Sequence, residues 1–218
     1  MNQTNLRYLA IGGIIGPILF TIVLIINASF RADYNHVSNF ISELGATGTP
    51  NAVLMNVAGF LPFGLLIAAL GLSLLFLLPK GRGLRIGSVL VLVFGLGVVL
   101  AGLFSCDAGC PQDGSSTNLI HNRVSAIAFL SAIIGSGVLG FSFRSLSDWR
   151  SLWLYSVITC VVSAGFLVAM INSIAAYTHT GMWQRLLLLT LFIWFGIVGL
   201  RMYSLAKQTN ENNKKNRA

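Results

Sequence analysis

The chain has 218 residues, of which 55% are hydrophobic and only 9% charged, with a formal net charge of +8. No soluble domain needs that much apolar surface, and what lies between the apolar runs is too short to form a separate soluble domain. A charge of +8 would suit a polyanion such as nucleic acid, but the placement of the basic residues along the chain accounts for it without one.

Apolar runs of about 20 residues, enough to cross a bilayer core, fall at roughly 8–29, 52–78, 86–104, 122–143, 151–172 and 183–203. The expected fold is therefore all-α, a six-transmembrane-helix bundle. Residues 1–207 form one integral membrane domain, and 208–218 form a basic cytoplasmic tail expected to be disordered. The first run is about 20 residues long and lacks a small-x-small cleavage site after it, so it reads as a retained helix rather than a signal peptide.

The first connection, 30–51, carries Val37, Phe40, Ile41 and Leu44 at i, i+3, i+4 and i+7. That spacing predicts an amphipathic helix over about Tyr34–Leu44, ended by Gly45. On such a helix His36 and Glu43 point within about 20° of each other, with Asn39 between them on one polar stripe. The second helix contains Pro62 between Gly59 and Gly64, where a bend is expected. Small residues recur on helices three, four and six, among them Gly95, Gly97, Gly137 and Gly199, as close packing in lipid requires. The connection 105–121 holds Cys106, Asp107, Cys110 and His121, and 173–182 holds His179.

With the N-terminus in the cytoplasm, eleven of the fourteen Lys and Arg lie inside, leaving Arg31, Arg123 and Arg185 outside. This is a positive-inside pattern. It predicts a multi-pass protein of a bacterial-type inner membrane with both termini cytoplasmic, in contact with membrane lipids and with no nucleic-acid partner. Tyr8, Trp149, Trp153, Tyr155 and Tyr203 are expected as an interfacial belt at the inner ends, and Tyr34, Tyr177 and Trp183 at the outer ends.

The run Tyr34-Asn-His-Val-Ser-Asn-Phe-Ile-Ser-Glu-Leu-Gly-Ala46 follows the first helix and precedes Met55-Asn56. It resembles the Ile-Ser-Glu-Leu-Gly-Ala signature of a bacterial six-helix family known as domain of unknown function 998. The Cys106-Asp107 to Cys110-Pro111 loop and His121 also look like that family, over roughly residues 8–205. The resemblance implies the fold and topology and no particular activity. More distantly, one serine, one aspartate and three histidines at helix ends are similar to the residue set of the intramembrane zinc hydrolases grouped with alkaline ceramidases and adiponectin receptors, although this chain has no His-x-x-x-His pair.

The candidate site residues all belong to the outer loops. His36, Asp107, His121 and His179 are candidate ligands for zinc, with Glu43 as general base for a bound water and Ser42 beside it as a candidate nucleophile. The bland alternative makes each an interface residue hydrogen-bonded to backbone, and none sits at a dedicated metal spacing. Cys106 and Cys110 favour a disulfide over thiolate ligation in an oxidising exterior. Asn27, Asn56, Asn122 and Asn172, near the outer helix ends, form either a structural layer or a polar vestibule. Arg123 and Arg185 are expected to pair with Glu43 and Asp107. Two functions fit: a metal-dependent hydrolase of a lipid or amphiphile, or a non-catalytic module that binds a lipid or protein partner through the same outward-facing polar pocket.

Overall fold

The computed structural model describes residues 3–176 and 178–215. Six helices are long and apolar enough to cross a membrane: α1 (Asn5–Ser29), α2 (Ala52–Leu77), α3 (Arg82–Leu103), α4 (Ser116–Phe143), α5 (Ser147–Ser173) and α6 (Thr180–Gln208). There is no strand among the described residues. Six passes return the chain to the side it started from, so the connections 30–51, 104–115 and 174–179 share one end of the bundle, called here the loop end. Tyr177 lies outside the described residues.

Two of the boundaries have readable causes. Helix α4 starts at Ser116, six residues before the apolar run, because Ser115 takes the cap position and its hydroxyl accepts from the Asn118 N–H at 3.2 Å; the polar first turn hides this from hydropathy. The last helix continues to Lys215, through most of the stretch expected as a tail, while 216–218 lie outside the described residues.

Pro62 acts through the turn before it. Its ring crowds the carbonyl four residues earlier and it has no N–H to donate, and residues Met55–Phe60 wind as a π-helix, with the Leu61 N–H reaching back to the Asn56 carbonyl. A π-turn of this kind absorbs such an interruption. It also sets Asn56 where its amide donates to the Gly45 carbonyl and to Ser105 Oγ, both at 2.9 Å.

Backbone-to-backbone packing fixes the centre. A Cβ on Gly64 would stand 2.6 Å from the Gly95 carbonyl oxygen, and one on Gly71 would stand 2.7 Å from the Leu92 nitrogen, so α2 and α3 touch main chain to main chain. Such contact replaces the hydrophobic drive that lipid does not supply. Trp149, expected in the interfacial belt, is instead buried, its ring stacked on Phe143 at 4.5 Å.

Helices α4 and α5 meet closely at the end away from the loops. There a Cβ on Gly137 or Gly140 would come within 2.9 Å of Cys160 Sγ or Ser156 Cβ. Toward the loop end Gly165 has nothing within 4 Å, and Phe166 stacks on Trp183 of α6 instead, ring centroids 6.1 Å apart. At the loop end both helices line one cavity, α4 through Ala126 and Leu130 and α5 through Leu167 and Ile171. Helix α5 is the least buried of the six, 22% of its apolar window against 44–50% for the others.

Candidate functional site

The loop 30–51 folds over the bundle as a roof. It contains a short helix as expected, but as a 3-10 helix over Ile41–Gly45 rather than an α-helix from Tyr34. The reason is competition from side chains. Asn39 Oδ1 accepts from the Asn35 N–H and Asn35 Oδ1 from the Val37 N–H, both at 2.8 Å, holding 35–39 in turns. Glu43 then accepts from the Phe40 N–H at 2.7 Å and from Asn39 Nδ2 at 2.8 Å. Phe40, Ile41 and Leu44 are buried as their spacing predicts, while Val37 is exposed. Glu43 is buried too, so it shares no polar stripe with the exposed His36.

Every neighbouring element holds this roof. Gln184 of α6 accepts from the Ile41 N–H at 2.7 Å. Arg31 at the end of α1 donates to the Glu43 carbonyl at 2.9 Å. The Thr47 N–H donates to the Cys106 carbonyl at 2.8 Å, and the Met182 N–H at the start of α6 to the Val37 carbonyl at 2.9 Å. That last bond uses one of the donors a helix start leaves unpaired.

Arg185 finds partners other than the carboxylates expected. Arg185 donates to the Asn39 and Gly181 carbonyls at 3.1 and 2.8 Å and to the Tyr34 hydroxyl at 2.5 Å, and Arg123 is exposed. Arg31 and Asp33 form an ion pair at 2.7 Å. Burial pushes the Tyr34 phenol up to about 12 although Arg185 pulls the other way. Partial burial, and then Arg185, lowers the His36 imidazole from its ordinary value.

Three of the asparagines tie loops to helix ends, and Asn122 also lines the cavity beneath the roof. Asn27 donates to the Asn51 carbonyl at 3.0 Å, Asn56 to that of Gly45 and Asn122 to that of Pro111 at 2.9 Å, each tying a loop to a helix end. Asn172 is exposed.

The candidate ligands do not come together. Both Asp107 oxygens accept from Ser115, its N–H and its hydroxyl, at 2.7 Å, and those bonds hold the carboxyl below its usual range. His179 is exposed, as is His36, which meets Tyr34 edge to face at 5.2 Å. His121 is buried with Nδ1 at 3.0 and 2.9 Å from the Ala101 and Phe104 carbonyl oxygens. Cys106 and Cys110 stand at disulfide distance, Cα atoms 5.1 Å apart. Zinc asks for three or four donors about 2.0–2.3 Å from one point, and among the described residues no three of His, Cys, Asp or Glu are placed to hold an ion. Ser42 Oγ lies 3.3 Å from Cys110 Sγ, and its neighbour Glu43 spends both oxygens inside the roof.

Two of the candidates do share a space. Ser42 and His121 line a cavity of about 350 Å³ below the roof, together with Ser125 and Gln184. Its floor is aromatic, formed by Phe20, Phe60, Phe63 and Phe94. The expected polar pocket is thus mostly apolar, with its polar groups gathered at the loop end. Leu130 of α4 and Ile171 of α5 line it and are also exposed on the outer face of the bundle, 47% and 55%. They mark the edge of the cavity between α4 and α5.

Gln184 was missed by reading the sequence, where Arg185 beside it drew the attention. The available signal was an uncharged amide two residues before the apolar run Leu186 to Leu189.

A six-helix membrane bundle with a braced roof over an apolar cavity is the class that fold and site define. The chain belongs to the family described as Protein of unknown function (DUF998), whose model matches residues 14–201. No curated protein and no solved structure matches it.

Proposed function

We propose that the protein is a non-catalytic membrane module that takes the apolar chain of a lipid or other amphiphile into the cavity beneath the roof. The observation that carries this reading is the cavity itself, apolar below, polar at the loop end and within the size range of ligand sites. Its α4 wall runs from His121 to Leu130, nine residues or about 13 Å at 1.5 Å per residue. That is close to half of a hydrocarbon core about 30 Å thick, the depth of one leaflet. The edge of the cavity between α4 and α5 supplies a path from the bilayer that never crosses water.

The test is lipid analysis of the protein extracted from its own membrane in polymer nanodiscs. One amphiphile class should be enriched over bulk lipid, and the variant Ser125→Phe, which fills the cavity, should lose the enrichment. Retained lipid identical to bulk in both proteins would refute the reading.

The proposed setting is a bacterial-type inner membrane with the roof outside and both termini in the cytoplasm, supported by the eleven-to-three division of basic residues. Gly48, exposed in the first loop, is the place to ask. A cysteine there should react with a membrane-impermeant maleimide in intact cells, and reaction only after lysis would reverse the orientation.

A further inference from the structure

We infer that the cavity selects a single-chain amphiphile whose uncharged head both donates and accepts a hydrogen bond, a fatty alcohol or a protonated fatty acid. This rests on the amphiphile-binding reading and adds the chemistry of the ligand. Two side chains carry it. His121 is 5% exposed and Gln184 is 7% exposed, both line the cavity, and each is committed on one side only.

The commitments fix what each presents. Nδ1 of His121 faces two carbonyl oxygens, which have no proton to give, so Nδ1 carries the hydrogen. The neutral ring then has a lone pair at Nε2. An imidazolium here would be a buried cation with no carboxylate to pair with, since no Asp or Glu lines the cavity and Glu43 and Asp107 spend their oxygens elsewhere. For Gln184 the logic runs the other way. Its Oε1 accepts from the Ile41 N–H, so the amide is oriented and its NH₂ is the group left over. Beside the Ser42, Gln112, Asn122 and Ser125 side chains that also line the cavity, this pair of one fixed acceptor and one fixed donor matches a hydroxyl or a neutral carboxylic acid, which has one of each.

Charge and volume narrow the class further. No Lys, Arg, Asp or Glu is among the lining residues, so a phosphate, sulfate or quaternary ammonium head would be desolvated there without a counter-charge. At about 30 Å³ for each water-sized group, 350 Å³ holds about a dozen such groups. That is one chain and not two.

The test uses the full-length protein in phosphatidylcholine nanodiscs and a diazirine analogue of 1-dodecanol, with cross-linked peptides identified by mass spectrometry. Label is expected at Phe129 or Leu188 in the cavity wall. Unlabelled 1-dodecanol should compete at least tenfold better than dodecyl sulfate or dodecyltrimethylammonium. Dodecanoic acid, competing at low pH and losing potency once ionised, distinguishes an acid ligand from an alcohol.

Two variants read the head directly. His121→Asn keeps a donor for the two carbonyls and removes the Nε2 acceptor, while Gln184→Met, uncharged and of similar length, removes the amide donor. Each should weaken capture about fivefold, the usual worth of one neutral hydrogen bond, with thermal unfolding confirming that the variant is folded. Equal competition by charged and uncharged heads, or unchanged capture by both folded variants, overturns the head selection alone. Absence of label in the cavity from the alcohol and from diazirine analogues of the two charged amphiphiles overturns the amphiphile-binding reading with it.

Discussion

Replacing Gly95 by valine should destabilise the bundle by about 3 kcal/mol, the upper part of the usual range for overpacking, or prevent its assembly. A Cβ at this position meets the Ala68 nitrogen and stands 2.6 Å from the Gly64 carbonyl oxygen. Both atoms belong to main chain, so no rotamer change can relieve the clash and the helices α2 and α3 must separate. Separation costs the packing along the whole seam, including Gly71 against Leu92. Gly165→Val is the matched control, since a Cβ there meets nothing within 4 Å and an exposed helical position should change by no more than about 0.5 kcal/mol. Unfolding midpoints in mild detergent, measured on both variants, decide the matter. If Gly95→Val melts with the wild-type protein, the close α2–α3 seam is wrong.

The spans were legible because lipid leaves a sequence few choices, and the apolar runs match α1 to α6 closely wherever the flanking turn is also apolar. They fall short at Ser116, where a capped polar turn extends α4 outside the hydrophobic slab. The roof was half legible. Burial of Phe40, Ile41 and Leu44 follows from their spacing, but the helix type does not, because Asn35, Asn39 and Glu43 bond the backbone that an α-helix would have used. Titratable groups in the three connections of the loop end suggested one shared site. In the fold Asp107 is turned to Ser115 and His36 and His179 stay at the surface, since nothing in a loop's composition says which way its side chains face. The cavity had no sequence signature at all. Part of its wall comes from α4 and α5 beyond their close contacts at Gly137 and Gly140, a placement that the small residues alone do not encode. Gln184, which links roof and cavity, pairs with a backbone group 143 positions away, a contact no local pattern announces.

Glu43→Ala should loosen the roof without unfolding the bundle. Its carboxylate accepts from the Phe40 N–H and from Asn39 Nδ2 in a setting where the residue is 6% exposed. Removing it leaves a buried N–H unpaired, at about 1–3 kcal/mol, with charge-assisted bonds toward the upper end. The loss falls on the first turn of the 3-10 helix, so the neighbouring bond from Ile41 to Gln184 should weaken as well, whereas the Arg31 bond to the Glu43 carbonyl uses main chain and persists. Amide exchange in a peptide covering residues 37–46 should then accelerate by about thirtyfold, matching about 2 kcal/mol of lost protection, while peptides from α2 and α3 keep their rates. Glu43→Gln retains an oxygen for Phe40 but turns an amide NH₂ toward Asn39 Nδ2, two donors face to face, and should fall between alanine and wild type. A catalytic base would predict the opposite ordering of consequences, with activity lost and the roof intact. Unchanged exchange over 37–46 in Glu43→Ala would therefore sink the bracing role and return the carboxylate to the list of groups free to act on a ligand.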